Sequence, residues 1–421
     1  MKARIIFLAL SAAVIVGAFA LAGREDAGVA GDTAGGVTVA VATDLHYLAP
    51  ELTDKGEYFT ELVNDADGKV MLYIDELVRA FADQIAAEQP DALVLSGDLT
   101  FNGETLSHEA LAAVLAGVED AGVPVYVMPG NHDMNSSMAA SFSGDGYEPA
   151  DSPDEGEFAE IYADFGFSEA MSRDGKSLSY VAQLADGLRL IMLDVNTRSD
   201  PGYVLQGTFD WLEQQLEKAR SEGQRVIAVS HQNIYPHNSF FTSGYIIGNG
   251  GTLHSLYEEY GVLCNLSGHI HLQHTYTDGV LPEIVTSSLA VNPNQYGVLS
   301  INGDSCEYRT ESVRVSDWAR GEGREEPELL DFAAYSESFF KDTAVRQAMD
   351  ELEGVENAGE LAQFYADVNA LYFAGRTELI EWDDALMDAW SGYGYFIPAY
   401  LQTIRADGAV DYTHMSWRHA G

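Results

Sequence analysis

Apolar, strand-like runs alternating with helix-patterned segments constrain this chain more than anything else in it. Residues 37–43, 92–96, 123–128, 188–193 and 225–230 each read as a buried strand. Residues 70–89, 104–121 and 208–222 carry helical periodicity, and a short helix at 252–260 leads into a further strand at 261–266. Strand-rich sequence continues through 284–288, 297–301 and 307–315. This alternation predicts α/β layering. Open sheets of that class bind ligands in the crevice at the carboxyl ends of their strands.

Those ends carry the chemistry. Asp44-Leu45-His46, Gly97-Asp98, Gly130-Asn131-His132-Asp133, Ser230-His231 and Gly268-His269-Ile270-His271 each follow a strand directly. Any one of them is a weak signal, and their order along the chain is the strong one. Asp44 and Asp98 offer carboxylates, Asn131 an amide oxygen, and His46, His231, His269 and His271 imidazoles. That set can hold two divalent metal ions side by side. Mixed imidazole and carboxylate ligation suits manganese, iron or zinc better than calcium or magnesium, which prefer oxygen alone. Asp98, alone after its strand, is the best candidate to bridge the pair. A water between two such ions loses a proton near neutral pH and becomes a nucleophile, and the ions neutralise charge in the transition state. His132 is left over for proton transfer.

From Asp44 to His271 these motifs resemble the calcineurin-like metallophosphoesterase superfamily. The resemblance implies two mixed β-sheets in a sandwich flanked by helices, with a dinuclear site at its edge that hydrolyses phosphate esters. It implies that Asp44, His46, Asp98 and His271 hold one metal and that Asp98, Asn131, His231 and His269 hold the other. It also places His132 against the leaving-group oxygen as general acid, with Asp133 orienting the imidazole.

Departures from the known branches narrow the choice. Gly97-Asp98 runs into Leu99-Thr100-Phe101-Asn102, without the Val-Asp-Arg-Gly of protein Ser/Thr phosphatases. Phe101 stands where purple acid phosphatases carry an iron-binding tyrosine. The remaining expectation is an enzyme for small phosphodiesters or phosphomonoesters. Cations near the motifs are few, Arg198 being one candidate for a substrate contact, and this leans toward diesters. Asn102, Tyr235 and His237 are further candidate contacts by proximity in sequence, with turn and packing roles as the alternative. The rival class is a non-catalytic envelope module displaying an aromatic C-terminal region on the same fold. A module that had abandoned catalysis has no chemical need for the full donor set and His132.

Charge limits the partners. Sixty-six acidic residues against 22 basic give a net charge of −44, which repels nucleic-acid backbones and anionic bilayers. Lys2 and Arg4 precede an apolar run ending at Ala20-Leu21-Ala22, the pattern of a signal peptide cleaved near residue 22. The expected product is secreted or held in the cell envelope. An uncleaved anchor, the alternative, would tether it to the membrane. Residues 23–36 read as a flexible tether, 37–320 as the catalytic domain and 328–421 as a helical, aromatic-rich domain beyond a charged linker. His414 and His419 near the end read as surface residues. Cys264 reads as a buried core residue, and its pairing with Cys306 is left open.

Overall fold

The computed structural model describes residues 36–419. The expected signal segment, and all of the expected tether except Gly36, lie outside the described residues. Two mixed sheets build the main body. The first runs His414–Arg418, Ser305–Ser312, Gln295–Asn302, Val37–Ala42, Ala92–Leu95, Val125–Val127 across six strands. Its last three strands are parallel, while Val37–Ala42 lies antiparallel to Gln295–Asn302 with Val37 opposite Ile301. The second sheet has seven strands and places Leu188–Leu193, Arg225–Ser230 and Asn265–Ser267 side by side and parallel at its centre.

Side chains that alternate across a strand explain why the central runs are mostly apolar on both faces. In the second sheet Leu190, Met192, Ile227 and Val229 enter the core shared with Val39 and Leu93 of the first. Their neighbours Ile191, Leu193, Val226 and Ala228 face the other way, against Leu212 and Leu216 of helix Gln206–Ser221 and Leu253 and Tyr257 of helix Gly250–Tyr260. Both faces are therefore dry, and the α/β sandwich expected from the alternation is the one observed.

Three segments differ from expectation in detail. The strand expected at 261–266 is Asn265–Ser267, because Gly261 adopts φ 68° and ends the preceding helix. The segment 134–157, for which no strand or helix is read from the sequence, contains a hairpin pairing Ala140–Ser143 with Gly146–Pro149. It ends in a capping box, in which Asp154 accepts from the Glu157 backbone and Glu157 returns the bond. The chain also does not finish as helix. His414–Arg418 adds an antiparallel edge strand against Ser305–Ser312, and Trp417 Nε1 donates to Leu263 O at 3.1 Å.

Helices Phe332–Glu351, Ala358–Phe373, Asp384–Trp390 and Phe396–Asp407 form the C-terminal region. They close over Leu361, Trp390, Tyr400 and Leu401, and the same apolar cluster takes in Ile270, Leu272 and Val285 of the sandwich. From Gly36 onward the chain is one compact unit. Cys264 and Cys306 are buried and free. Among the described residues no helix is long and apolar enough to cross a membrane.

Trp390 is fully buried, and its Nε1 donates to Leu361 O at 3.0 Å. Trp390→Ala should cost about 3–5 kcal/mol, read as a lowered urea midpoint. A midpoint within experimental error of wild type would show that this cluster does not hold the helices.

Candidate metal centre

Both sheets deliver their motifs to one edge. Asp44 and His46 leave Val37–Ala42, Asp98 leaves Ala92–Leu95, and Asn131 and His132 leave Val125–Val127. From the second sheet His231 leaves Arg225–Ser230, and His269 and His271 leave Asn265–Ser267. The turns are tight. Asp44, His46, Asp98, His269 and His271 all hold φ between 45° and 72°, a left-handed region that residues with a Cβ occupy at a cost and that clusters at functional sites. Backbone bonds fasten them: Asp44 N and His46 N donate to Gly97 O and Asp98 O at 3.0 Å, and Gly268 N donates to His231 O at 3.0 Å. The motif glycines make room. A Cβ on Gly130 would overlap the Asp98 carboxylate, and one on Gly268 would lie 2.6 Å from Asp44 Oδ2.

Asp44 Oδ2 accepts from Thr43 Oγ1 at 2.7 Å and His269 N at 2.9 Å. Its partner Oδ1 is buried and accepts no hydrogen bond, 3.4 Å from His271 Nε2. His46 Nε2 lies 3.1 Å from His271 Nε2 and 4.0 Å from Asp98 Oδ2. On the other side, His231 Nδ1 donates to Ser96 O at 2.9 Å, which leaves Nε2 as the lone-pair nitrogen. That Nε2 faces Asp98 Oδ2 and Asn131 Oδ1, each at 3.2 Å. His269 Nε2 donates to Gly244 O at 3.0 Å, which turns its lone pair to Nδ1. Two groups result, Asp44–His46–Asp98–His271 and Asp98–His231–His269, with the ligand atoms of each within 4.8 Å of one another. Asp98 belongs to both.

Donor atoms crowded this closely in a buried pocket suit bound cations, and the charge states of all but His231 agree. Burial pushes Asp98 upward, yet His231 and His132 beside it hold its carboxyl well below the usual range. Burial raises Asp44 too, but chiefly His271 brings it below its ordinary value. Burial, then Lys69, presses His46 far down, and burial with His231 presses His269 to about 4. Ionised carboxylates and neutral imidazoles are what metal ligation requires. Burial also presses on His231, yet Asp98 lifts it to about 9, because its Nε2 faces two oxygens and needs a positive charge there. The residues fit a pair of divalent ions.

Four expectations change. Asp133 does not orient His132. Its buried carboxylate accepts from Gly130 N at 2.7 Å, Leu99 N at 3.1 Å and Thr100 N at 3.0 Å, so it ties the Asn131 turn to the Asp98 turn. Asn102 takes the orienting place instead, its Oδ1 accepting from His132 Nδ1 at 3.2 Å. Tyr235 is half-buried, its hydroxyl donating to Leu281 O and its N–H to Glu283, as in the packing alternative. His237 is buried between His274 Nδ1 at 2.9 Å and Glu283 Oε2 at 3.1 Å, where it packs the loop. Arg198 is exposed and donates to Asn135 Oδ1 at 3.3 Å, turned toward the loop after Asn131. The cation that does act on the site is Lys69, paired at 2.5 Å with Asp67, whose Oδ2 lies 3.8 Å from His271 Nδ1. No local pattern announces it. It arrives through Val70 N bonding to Ala290 O.

Fold and donor cluster together define a metal-binding α/β sandwich protein. Residues 37–273 match the family model for calcineurin-like phosphoesterases, and the chain belongs to that family. Residues 314–411 match a second model, the C-terminal domain of cyclic nucleotide phosphodiesterase. A Pseudoalteromonas sp. (strain SM9913) protein described as a probable cyclic nucleotide phosphodiesterase is 27% identical over 234 residues, which cover 55% of this chain and 70% of that protein. A dimetal phosphatase from Danio rerio aligns at TM-score 0.46 and 15% identity, over 66% of this chain and 96% of its own. A purple acid phosphatase from yellow lupin aligns at TM-score 0.44 and 16% identity, over 67% and 52% respectively.

Because Asp98 sits in both groups, Asp98→Asn should leave less than one equivalent of bound metal where wild type holds two, measured by elemental analysis after Mn²⁺ loading. Retention of both equivalents would remove Asp98 as the bridge. Glu104 generates a second expectation. It is fully buried, its Oε2 accepts from Asn102 N at 3.1 Å, and burial lifts its carboxyl to about 7. The folded state therefore holds this proton more tightly than the unfolded chain. The stabilisation is complete below the unfolded value near 4.5 and is lost as pH rises through 7. Glu104→Gln should thus gain up to roughly 3 kcal/mol over wild type at pH 8 and little at pH 4. Equal urea midpoint shifts at both pH values would contradict it.

Proposed function

We propose that this chain is an exported, metal-dependent phosphodiesterase that cleaves small phosphodiesters, cyclic nucleotides among them. The observation that carries the proposal is Asp98, whose one carboxylate serves two opposed sets of lone pairs beside a free-standing imidazole, His132. When bound, the divalent pair supplies an activated water and charge neutralisation at the phosphoryl group. The chain's own residues do the rest. Asp44, His46 and His271 would hold one ion and Asn131, His231 and His269 the other, on either side of Asp98.

His132 stands edge-on to His46, ring centroids 5.2 Å apart, with Nδ1 held by Asn102. With Nδ1–H engaged, Nε2 is the position from which the doubly protonated imidazolium would give its proton to the departing alkoxide, leaving the neutral ring. The His132 backbone N–H also donates to Asp98 Oδ1 at 2.9 Å, which locks the acid to the bridge.

Charge supports a diester over a monoester. A monoester dianion needs more cationic cover than a diester monoanion, and here Lys69 is neutralised by Asp67 while Arg198 turns to Asn135. The match of residues 314–411 to a cyclic nucleotide phosphodiesterase C-terminal domain, and the Pseudoalteromonas relative, support the substrate class. Export rests on the cationic start and apolar run before residue 22.

The test compares bis(p-nitrophenyl) phosphate, p-nitrophenyl phosphate and 3′,5′-cyclic AMP with the Mn²⁺-loaded protein. Diester turnover should exceed monoester turnover. His132→Ala should lose about 10²-fold or more in kcat with its metal content intact, and Asn102→Ala about tenfold. Hydrolysis of none of the three by metal-replete protein would overturn the proposal, and undiminished turnover in His132→Ala would remove the acid.

A further inference from the structure

Beside the second ligand group lies a cleft of about 450 Å³, lined on one side by Asn131 and His269 themselves. Its remaining walls come from two segments. Residues 196–203 supply Asn196, Pro201, Gly202 and Tyr203, and residues 232–248 supply Gln232 and Ile246 among small residues. The two segments are stitched by Gly248 N donating to Gly202 O at 2.8 Å.

We propose that this cleft is the subsite for the nucleoside of a nucleotide diester, with the Tyr203 ring as the stacking wall and Gln232 as the polar reader. The inference rests on the phosphodiesterase reading above and adds the part of the substrate that the metals do not touch. Charge, shape and an unanswered acceptor each support it.

The first is charge. Among the described residues, no Asp, Glu, Lys or Arg lines the cleft. A choline-like cation would meet no carboxylate there, and a second phosphate would meet no cation. The leaving or retained alcohol that enters must be neutral overall.

The second is shape. Gly202, Gly244 and Gly248 contribute backbone alone, and a Cβ on Gly248 would strike the Tyr203 ring. The outer end of the Tyr203 ring therefore rests directly against Gly248, and the side chain is still 44% exposed. A slot with a bare backbone floor and one aromatic wall takes a planar ring, and base–aromatic stacking needs nothing more.

The third is an unanswered acceptor. Gln232 is only 3% exposed, and its Nε2 donates to Asn196 Oδ1 at 2.7 Å. Its Oε1 is buried with no partner. A buried, unpaired amide oxygen in a ligand cleft asks for a donor from the ligand. Nucleosides carry such donors on both ring and sugar, and a plain aromatic ring carries none.

Isothermal titration of the Mn²⁺-loaded protein with 5′-AMP, ribose 5-phosphate and inorganic phosphate tests this directly. We expect 5′-AMP to bind about tenfold more tightly than ribose 5-phosphate. Tyr203→Ala should erase that gap while leaving the phosphate affinity unchanged, and Tyr203→Phe should keep it. Gly248→Ala should shrink it by displacing the ring. Equal affinities for 5′-AMP and ribose 5-phosphate in wild type, or a gap that survives Tyr203→Ala, would overturn the subsite. The two readings fail separately. Absence of diester hydrolysis with the gap intact would discard the chemistry and keep the cleft, and hydrolysis without the gap would do the reverse.

Discussion

Everything near the active edge follows from holding like lone pairs together out of water. His46 Nε2 and His271 Nε2 face each other at 3.1 Å, and His231 Nε2 faces two oxygens at 3.2 Å. Each such contact needs a proton or a cation between its atoms, and the scaffold has to hold the donors in place for either. The fold meets this with buried, fully used hydrogen bonds. Asp133 gathers three backbone donors from two turns, Ser96 O fixes the tautomer of His231, and Ser288 Oγ bonds to Asp44 O at 2.7 Å. Left-handed turns at five ligand positions are the remaining strain. A rigid sheet edge can carry that strain, and a mobile loop could not.

The C-terminal helices belong to this scaffolding. Asn238 Nδ2 donates to Tyr372 OH at 2.9 Å and to Thr403 Oγ1 at 3.0 Å, while Phe240 and Phe241 pack on Tyr400. A few residues further along the same loop, Gly244 O takes the His269 proton and the Tyr245 ring lies 5.7 Å from the His269 ring. Beneath it, Glu283 is buried and collects Ile234 N, Tyr235 N, Asn265 Nδ2 and His237. The loop is thus pinned at one end by the helices and at the other by a ligand. The helical region reaches the chemistry through this loop, by packing and hydrogen bonding.

How much of this was legible depends on range. Strand runs such as 188–193 and 225–230 declare themselves because both faces are buried, so apolar residues follow one another with only Arg189, Arg225 and Ser230 between or beside them. Motif ligands declare themselves because each sits one turn beyond such a run. His414–Arg418 did not, since an edge strand with one exposed face has a short and unremarkable pattern. The partner of His132 was misread for a geometric reason. Asp133 is its neighbour in sequence, but adjacent residues on a turn diverge, and the ring meets Asn102 from another loop instead. His237 is a candidate substrate contact by proximity in sequence, and only three-dimensional packing shows Glu283 and His274 already using both ring nitrogens. Lys69 and the Gln232–Asn196 pair were invisible for the same reason, since long-range contacts leave no local signature.

The overall charge and the site's chemistry pull in opposite directions, and the resolution is local. A surface at −44 repels any phosphate ester at long range. That repulsion acts through water, where salt screens it over about 8–10 Å, whereas the ligands act at a few ångströms in a dry pocket. A monoanionic diester meets half the repulsion of a dianionic monoester on approach and needs less cover on arrival. The cleft next to the second ligand group has no charged lining residue, so in the proposed reading the organic part of the substrate would be drawn in by stacking and hydrogen bonding, which the surface charge does not touch. An acidic protein can therefore act on an anionic ester if recognition is assigned to the uncharged end and attraction to the metals alone. The distribution of residues around Asp98 and Tyr203 has that division.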